Sequence, residues 1–136
     1  MRKQNASAAV ISAVLDSSAV LAVLLEEPGA ELVVPFMGNA LISTVNLAEV
    51  ITKLVAGGGE LEAVRQDVEE LALTVTDFTR ALAEDAGTLV VSTSEYGLSL
   101  GDRACLALAR RDKLPVLTAD RAWRDVEVGV RIELIR

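Results

Sequence analysis

The sequence predicts an α/β fold, a three-layer α/β/α sandwich around a mainly parallel, five-stranded sheet. Three observations carry that reading. Short apolar runs alternate with helical patterns from end to end, the order that crossover connections in a parallel sheet require. The hydrophobic fraction is 51% but the aromatic fraction only 3%. The core is therefore built of Val, Leu, Ile and Ala, which suits a parallel sheet covered on both faces. At 136 residues the chain is one domain's worth and can bury a substantial core.

Residues 1–9 show no periodicity and read as an N-terminal arm; the domain is expected over 10–136. Arg2 and Lys3 followed by Ala8–Leu15 imitate a signal peptide, but Asp16 interrupts the run and no cleavage site precedes a polar start. No stretch approaches the ~18 apolar residues of a membrane span. A cytoplasmic protein with no membrane association is expected, and the single Cys105 agrees with a reducing compartment.

Val10–Leu15 is the first strand candidate, closing on Asp16-Ser17-Ser18. A helix follows with Leu21, Leu24 and Leu25 on one side, and Ala30–Met37 is a second, stopped by Gly38-Asn39. Ala40–Ser43 is the second strand and leads into a helix over Thr44–Ala56, ended by three glycines. Leu61, Val64, Val68 and Leu71 give Glu60–Leu71 one apolar helical face. Leu73 and Val75 alternate with threonines as a third strand, and Asp77 is placed to cap the next helix. Val128, Val130, Ile132 and Leu134 alternate as a terminal edge strand.

Tyr96–Asp120 organises the rest of the chain. Ser99 is an N-cap candidate with Asp102 three positions on, Ala104–Ala109 is apolar without a break, and Val116–Leu117 returns as a strand ending at Thr118-Ala119-Asp120. A helix feeding a parallel strand puts Asp102 and Asp120 at the same end of the sheet.

The chain contains no histidine. Ser-His-Asp and Cys-His nucleophilic schemes and His-ligated zinc are thereby excluded, and one cysteine makes soft-metal sites implausible. Catalysis would have to run on carboxylates, hydroxyls, Lys, Arg or a hard cation held by oxygen. A net charge of −7 argues against a general nucleic-acid coat.

In a parallel sheet, functional groups gather beyond the carboxyl ends of the strands. Four acids fall there: Asp16 after the first strand, Glu49 early in the helix after the second, Asp102 in the first turn of its helix, and Asp120 after the fourth strand. Capping competes with ligation for each taken singly. Asp16 can cap, and Asn46-x-x-Glu49 and Ser99-x-x-Asp102 both read as capping boxes. Capping leaves Asp120 unexplained, because no strong helix pattern follows it. Clustered carboxylates raise one another's pKa unless a cation sits among them, and an all-oxygen set selects Mg²⁺ or Mn²⁺. Arg110, Arg111 and Lys113 end their helix at the opposite edge, whereas Arg103, Arg121 and Arg124 neighbour the acids and are candidate phosphate contacts.

Leu15-Asp16-Ser17-Ser18-Ala19, Ser43 through Glu49, Gly97 through Asp102, and Leu117 through Trp123, in this order, resemble the PIN-domain family and most closely its VapC-type toxins. The resemblance implies a metal-dependent endoribonuclease toxin of a toxin–antitoxin pair. Asp16, Glu49, Asp102 and Asp120 would surround Mg²⁺ or Mn²⁺, with Thr118 and Ser17 in support. A metal-activated water would hydrolyse the RNA phosphodiester. It also implies a cognate antitoxin, a homodimer and toxin–antitoxin hetero-oligomers. Asp125 is the one candidate for a further acid, and the arm exceeds the family's usual start. Two other readings stand: another PIN-fold nuclease in RNA maturation, and a non-catalytic binding module whose acids are helix caps.

Overall fold

The computed structural model describes residues 10–136; the expected arm over residues 1–9 lies outside them. Five strands form one sheet: β1 (Ala13–Leu15), β2 (Ala40–Ser43), β3 (Thr74–Thr76), β4 (Val116–Thr118) and β5 (Ile132–Leu134). Their order is β3-β2-β1-β4-β5 and every pairing is parallel. The expected α/β sandwich is thus observed, with a sheet that is parallel throughout.

Helices α1 (Ser17–Leu24), α2 (Ala30–Val33), α3 (Thr44–Ala56) and α4 (Leu61–Glu69) precede β3. Helices α5 (Arg80–Thr88), α6 (Val90–Thr93) and α7 (Leu100–Asp112) precede β4. Because side chains on a strand alternate between faces, β1 feeds two cores at once. Val14 joins Leu41, Val116 and the buried faces of α5 and α7, among them Leu82, Leu106 and Leu108. Ala13 and Leu15 join Ile42, Leu117 and the buried side chains of α1 and α3, among them Val20 and Val50. Sheet and helices therefore make three layers. The run Ala104–Ala109 is buried along its whole length, at most 1% exposed.

Several elements are shorter than the hydrophobic pattern predicts. The first strand starts at Ala13 and not Val10, because β2 begins at Ala40, opposite Ala13, and Val10 is 80% exposed with no partner strand. The helix expected over Ala30–Met37 breaks after Val33 into a 3₁₀ turn over Val34–Phe36, where Pro35 removes a helical donor. Thr79, not Asp77, caps α5, its hydroxyl accepting from the Leu82 amide. The terminal strand keeps only Ile132–Leu134, because Gly129 turns the chain at φ 79° and leaves Val128 in a loop.

Strand order decides where a site can lie. The chain moves outward from β1 to β3, then jumps back to the other side of β1 to lay down β4. The β1/β4 junction is therefore the switch point, where a crevice opens beyond the carboxyl ends of the strands. No helix among the described residues is long and apolar enough to cross a membrane.

Candidate functional site

Asp16 follows β1 directly, and its backbone N–H donates to the Leu117 carbonyl of β4 at 3.1 Å. That bond sets its side chain beside Thr118. The carboxylate is 3% exposed. Its Oδ2 accepts from the Ser18 hydroxyl at 2.6 Å and from the Thr118 hydroxyl at 2.9 Å. Its Oδ1 is buried and makes no hydrogen bond with the protein. Asp16 occupies the N-cap position of α1 but makes no side-chain cap bond, so capping does not account for it.

Burial raises the Asp16 pKa, the bonds from Ser18 and Thr118 pull it back, and the Glu49 charge raises it again. A carboxylate this buried, with one oxygen unsatisfied, costs the fold free energy that neither packing nor capping returns. Such an atom calls for an explanation in function.

Thr118, wholly buried at the end of β4, links two acids. Its hydroxyl donates to Asp16 and accepts from the Asp120 amide at 3.1 Å. Ser18 completes the knot, its Oγ accepting from the Ala119 amide at 2.9 Å. The hydroxyl on Asp16 is thus that of Ser18, one residue beyond the expected Ser17. Sequence spacing points equally to both, since each falls in the first turn of α1.

Glu49 lies in the second turn of α3. The expected Asn46–Glu49 capping box is not formed, because Ser43 is the N-cap and accepts from the Val45 amide. Asn46 lies within the helix, wholly buried, and its Nδ2 donates to Glu49 Oε1 at 2.9 Å and to the Gly101 carbonyl at 3.1 Å. That contact fixes Glu49 against the start of α7. The capping-box spacing pairs Asn46 with Glu49 but gives no sign of the Gly101 contact.

Asp102 and Asp120 do serve as caps. Ser99 and Asp102 form a full capping box, with the Ser99 amide donating to Asp102 Oδ2 at 2.9 Å. Asp120 caps a 3₁₀ turn over Arg121–Trp123, its Oδ1 accepting from the Ala122 amide at 2.9 Å. The expectation that capping leaves Asp120 unexplained is therefore corrected: the turn is short but it is capped. Each bond engages one carboxylate oxygen only. Burial raises the Asp102 pKa to about 6 against the pull of Ser99, and the charges of Asp16 and Asp120 add to the rise.

The four acids, at the ends of β1 and β4 and on α3 and α7, are linked pairwise by charge: Glu49 acts on Asp16, and Asp16 and Asp120 act on Asp102. None of them takes part in an ion pair among the described residues, where the salt bridges lie elsewhere. Asp16, Asp102 and Glu49 also act on the buried Cys105 thiol, whose pKa burial already pushes well up, so that side chain is a neutral core residue. Among the described residues no group of three or more acids is drawn close enough to enclose an ion as it stands.

The basic candidates separate. Arg103 is half-buried and its guanidinium donates to the Ala86 carbonyl of α5 at 2.7 Å, with Nε buried and unbonded. Arg121 and Arg124 are exposed beside Asp120. Asp125 is exposed beyond them and acts on Tyr96.

The model of the PIN domain matches residues 13–129. The chain belongs to the PIN-domain family.

Among solved structures, this PIN domain is similar to a chain of a toxin–antitoxin complex from Klebsiella pneumoniae, with a TM-score of 0.71 and 18% identity over 92% of this chain and 98% of that one. DNA-bound VapBC from Salmonella typhimurium matches with a TM-score of 0.71 and 21% identity, over 93% and 100% of the two chains. VapC20 of Mycobacterium tuberculosis, described as a toxin cleaving the sarcin–ricin loop, matches with a TM-score of 0.66 and 20% identity, over 88% and 99%. A comparison with curated proteins finds no match.

Proposed function

We propose that this PIN domain is a metal-dependent endoribonuclease of the VapC type, the toxin of a toxin–antitoxin pair, acting in the cytoplasm. The observation that carries the proposal is the buried, unbonded Oδ1 of Asp16, within electrostatic reach of Glu49 and Asp102 and with no paired cation among the described residues. Several of the similar solved structures are toxin–antitoxin complexes.

The donor set fits a hard cation: oxygen ligands with no histidine suit Mg²⁺ or Mn²⁺. Asp16, Glu49, Asp102 and Asp120 would hold it. Because the acids do not enclose an ion as they stand, binding would require their carboxylates to draw together around it. A cation held there would lower the pKa of a water and steady charge on a transferring phosphate.

The chain's own groups do the positioning. Ser18 and Thr118 hold Asp16 Oδ2 and leave Oδ1 without a protein partner, and the two caps keep one oxygen each of Asp102 and Asp120 in fixed directions. Arg121 and Arg124 stand at the rim, suited to the phosphates of a single-stranded RNA loop. An antitoxin segment has an apolar groove to enter, lined by Ile42, Leu47, Ile51, Val68, Leu73 and Val75. A homodimer completes the proposed assembly.

The competing reading, a binding module whose acids are caps, is favoured by the cap bonds of Asp102 and Asp120. It gives no reason for Asp16. Analysis of the ends produced from structured RNA in Mn²⁺ tests the proposal. Hydrolysis by water leaves 5′-phosphate and 3′-hydroxyl ends, and 2′,3′-cyclic phosphates overturn it.

A further inference from the structure

The geometry points to Asn46 and Gly101 as the seat that positions Glu49 for cation binding, a role that rests on the nuclease reading above. Asn46 is wholly buried, it spends both amide protons on Glu49 Oε1 and the Gly101 carbonyl, and its own Oδ1 is buried without a partner. An apolar side chain at this position would avoid that unsatisfied oxygen, so stability does not account for an amide here.

Gly101 makes the complementary contribution. It lies in the first turn of α7, where alanine is the better helix former. A Cβ there would overlap Glu49 Oε2, and Glu49 Cδ and Oε1 would stand 2.6 and 2.8 Å from it. The glycine therefore leaves room for one thing, the Glu49 carboxylate. The atoms met are the end of a flexible side chain, so an added methyl displaces Glu49 and leaves the backbone in place. Asn46 draws the carboxylate toward α7 and Gly101 receives it. Together they hold the Glu49 carboxylate against the first turn of α7, the turn that also carries Asp102.

Mn²⁺ titration of the metal-free full chain by calorimetry, beside thermal unfolding in EDTA, tests the seat through Asn46→Ala and Gly101→Ala. Both variants are expected to weaken Mn²⁺ binding about 10- to 100-fold, the usual effect of removing a partner that orients a metal ligand. Gly101→Ala is expected to do so while melting at or above the wild-type temperature, an outcome that a purely structural role for Gly101 would not give. If Asn46→Ala does not fold, Gly101→Ala decides. Wild-type affinity in Gly101→Ala overturns the seat. A wild-type protein that binds no Mn²⁺ overturns the nuclease reading and the seat with it, whereas binding by wild type and both variants alike overturns the seat alone.

Discussion

Thr118 donates its hydroxyl to Asp16 Oδ2 at 2.9 Å, joining β4 to the residue after β1 across 102 positions of sequence. The Thr118 hydroxyl oxygen in turn accepts from the Asp120 amide. One buried hydroxyl thus sets the relation between two acids on either side of the switch point.

Thr118→Val keeps the side-chain shape and removes the hydroxyl. The Asp120 amide loses its acceptor and Asp16 Oδ2 keeps only Ser18. The expected cost is about 1–3 kcal/mol, a fall in Tm of roughly 3–10 °C, with a larger proportional loss of RNA cleavage. Thr118→Ser is expected to recover most of both. Thermal unfolding and a cleavage assay on the same preparations check this; a fully stable, active Thr118→Val would remove the residue from the account.

Asp102→Asn and Asp120→Asn separate capping from charge. Asparagine caps about as well as aspartate, and its side-chain oxygen can still accept from Ser99 or Ala122. Both variants are expected to stay within about 0.5 kcal/mol of wild type and to lose most RNA cleavage and Mn²⁺ affinity. Retained cleavage in both would make these acids caps and nothing more.

The raised carboxyl pKa values give a signed dependence on pH. Asp102 titrates at about 6 in the folded protein against an ordinary 3.8, so the native state holds its proton longer than the unfolded chain. Its contribution to stability is therefore largest below pH 3.8 and is lost as pH rises through the window to about 6. Asp16 is displaced in the same direction. Cation binding requires both groups ionised. Calorimetry of Mn²⁺ binding in buffers of different ionisation heat is expected to show protons released near pH 5.5 and almost none near pH 8. Equal proton release at both values would contradict the assignment.

Much of the fold is legible in the residue pattern, and the exceptions are physical. Thr44–Ala56 reads as a helix because Ser43 and three glycines bound it, and Ala104–Ala109 reads as buried because nothing polar interrupts it. Asp77 and Thr79 are both good caps. The choice between them follows from a tertiary bond, the Phe78 amide donating to Thr44 Oγ1 at 3.1 Å, which keeps residues 77–78 in the loop. The alternation through Val130 overreaches because a left-handed Gly129 cannot be seen in a period of two.

The site divides in the same way. Asp16, Glu49, Asp102 and Asp120 are found from where strands end and helices begin. Their partners are found only in three dimensions. Ser18 and Thr118 meet across the β1/β4 junction, and Asn46 meets Gly101 because α3 packs against α7, 55 residues on. No local pattern records either meeting.

Asp16→Asn tests the central claim most directly, measured as Mn²⁺-dependent RNA cleavage together with thermal unfolding in EDTA near pH 7.5. Burial disfavours the charged form of Asp16, so a neutral amide is expected to leave the metal-free protein as stable as wild type or more so. Cleavage is expected to fall at least about a hundredfold, since several kcal/mol of charge stabilisation are removed and each ~1.4 kcal/mol is worth a factor of ten. Loss of activity at undiminished stability would mark Asp16 as an acid kept for function. An Asp16→Asn protein that cleaves RNA like wild type, or a wild type whose cleavage survives EDTA, would contradict the account.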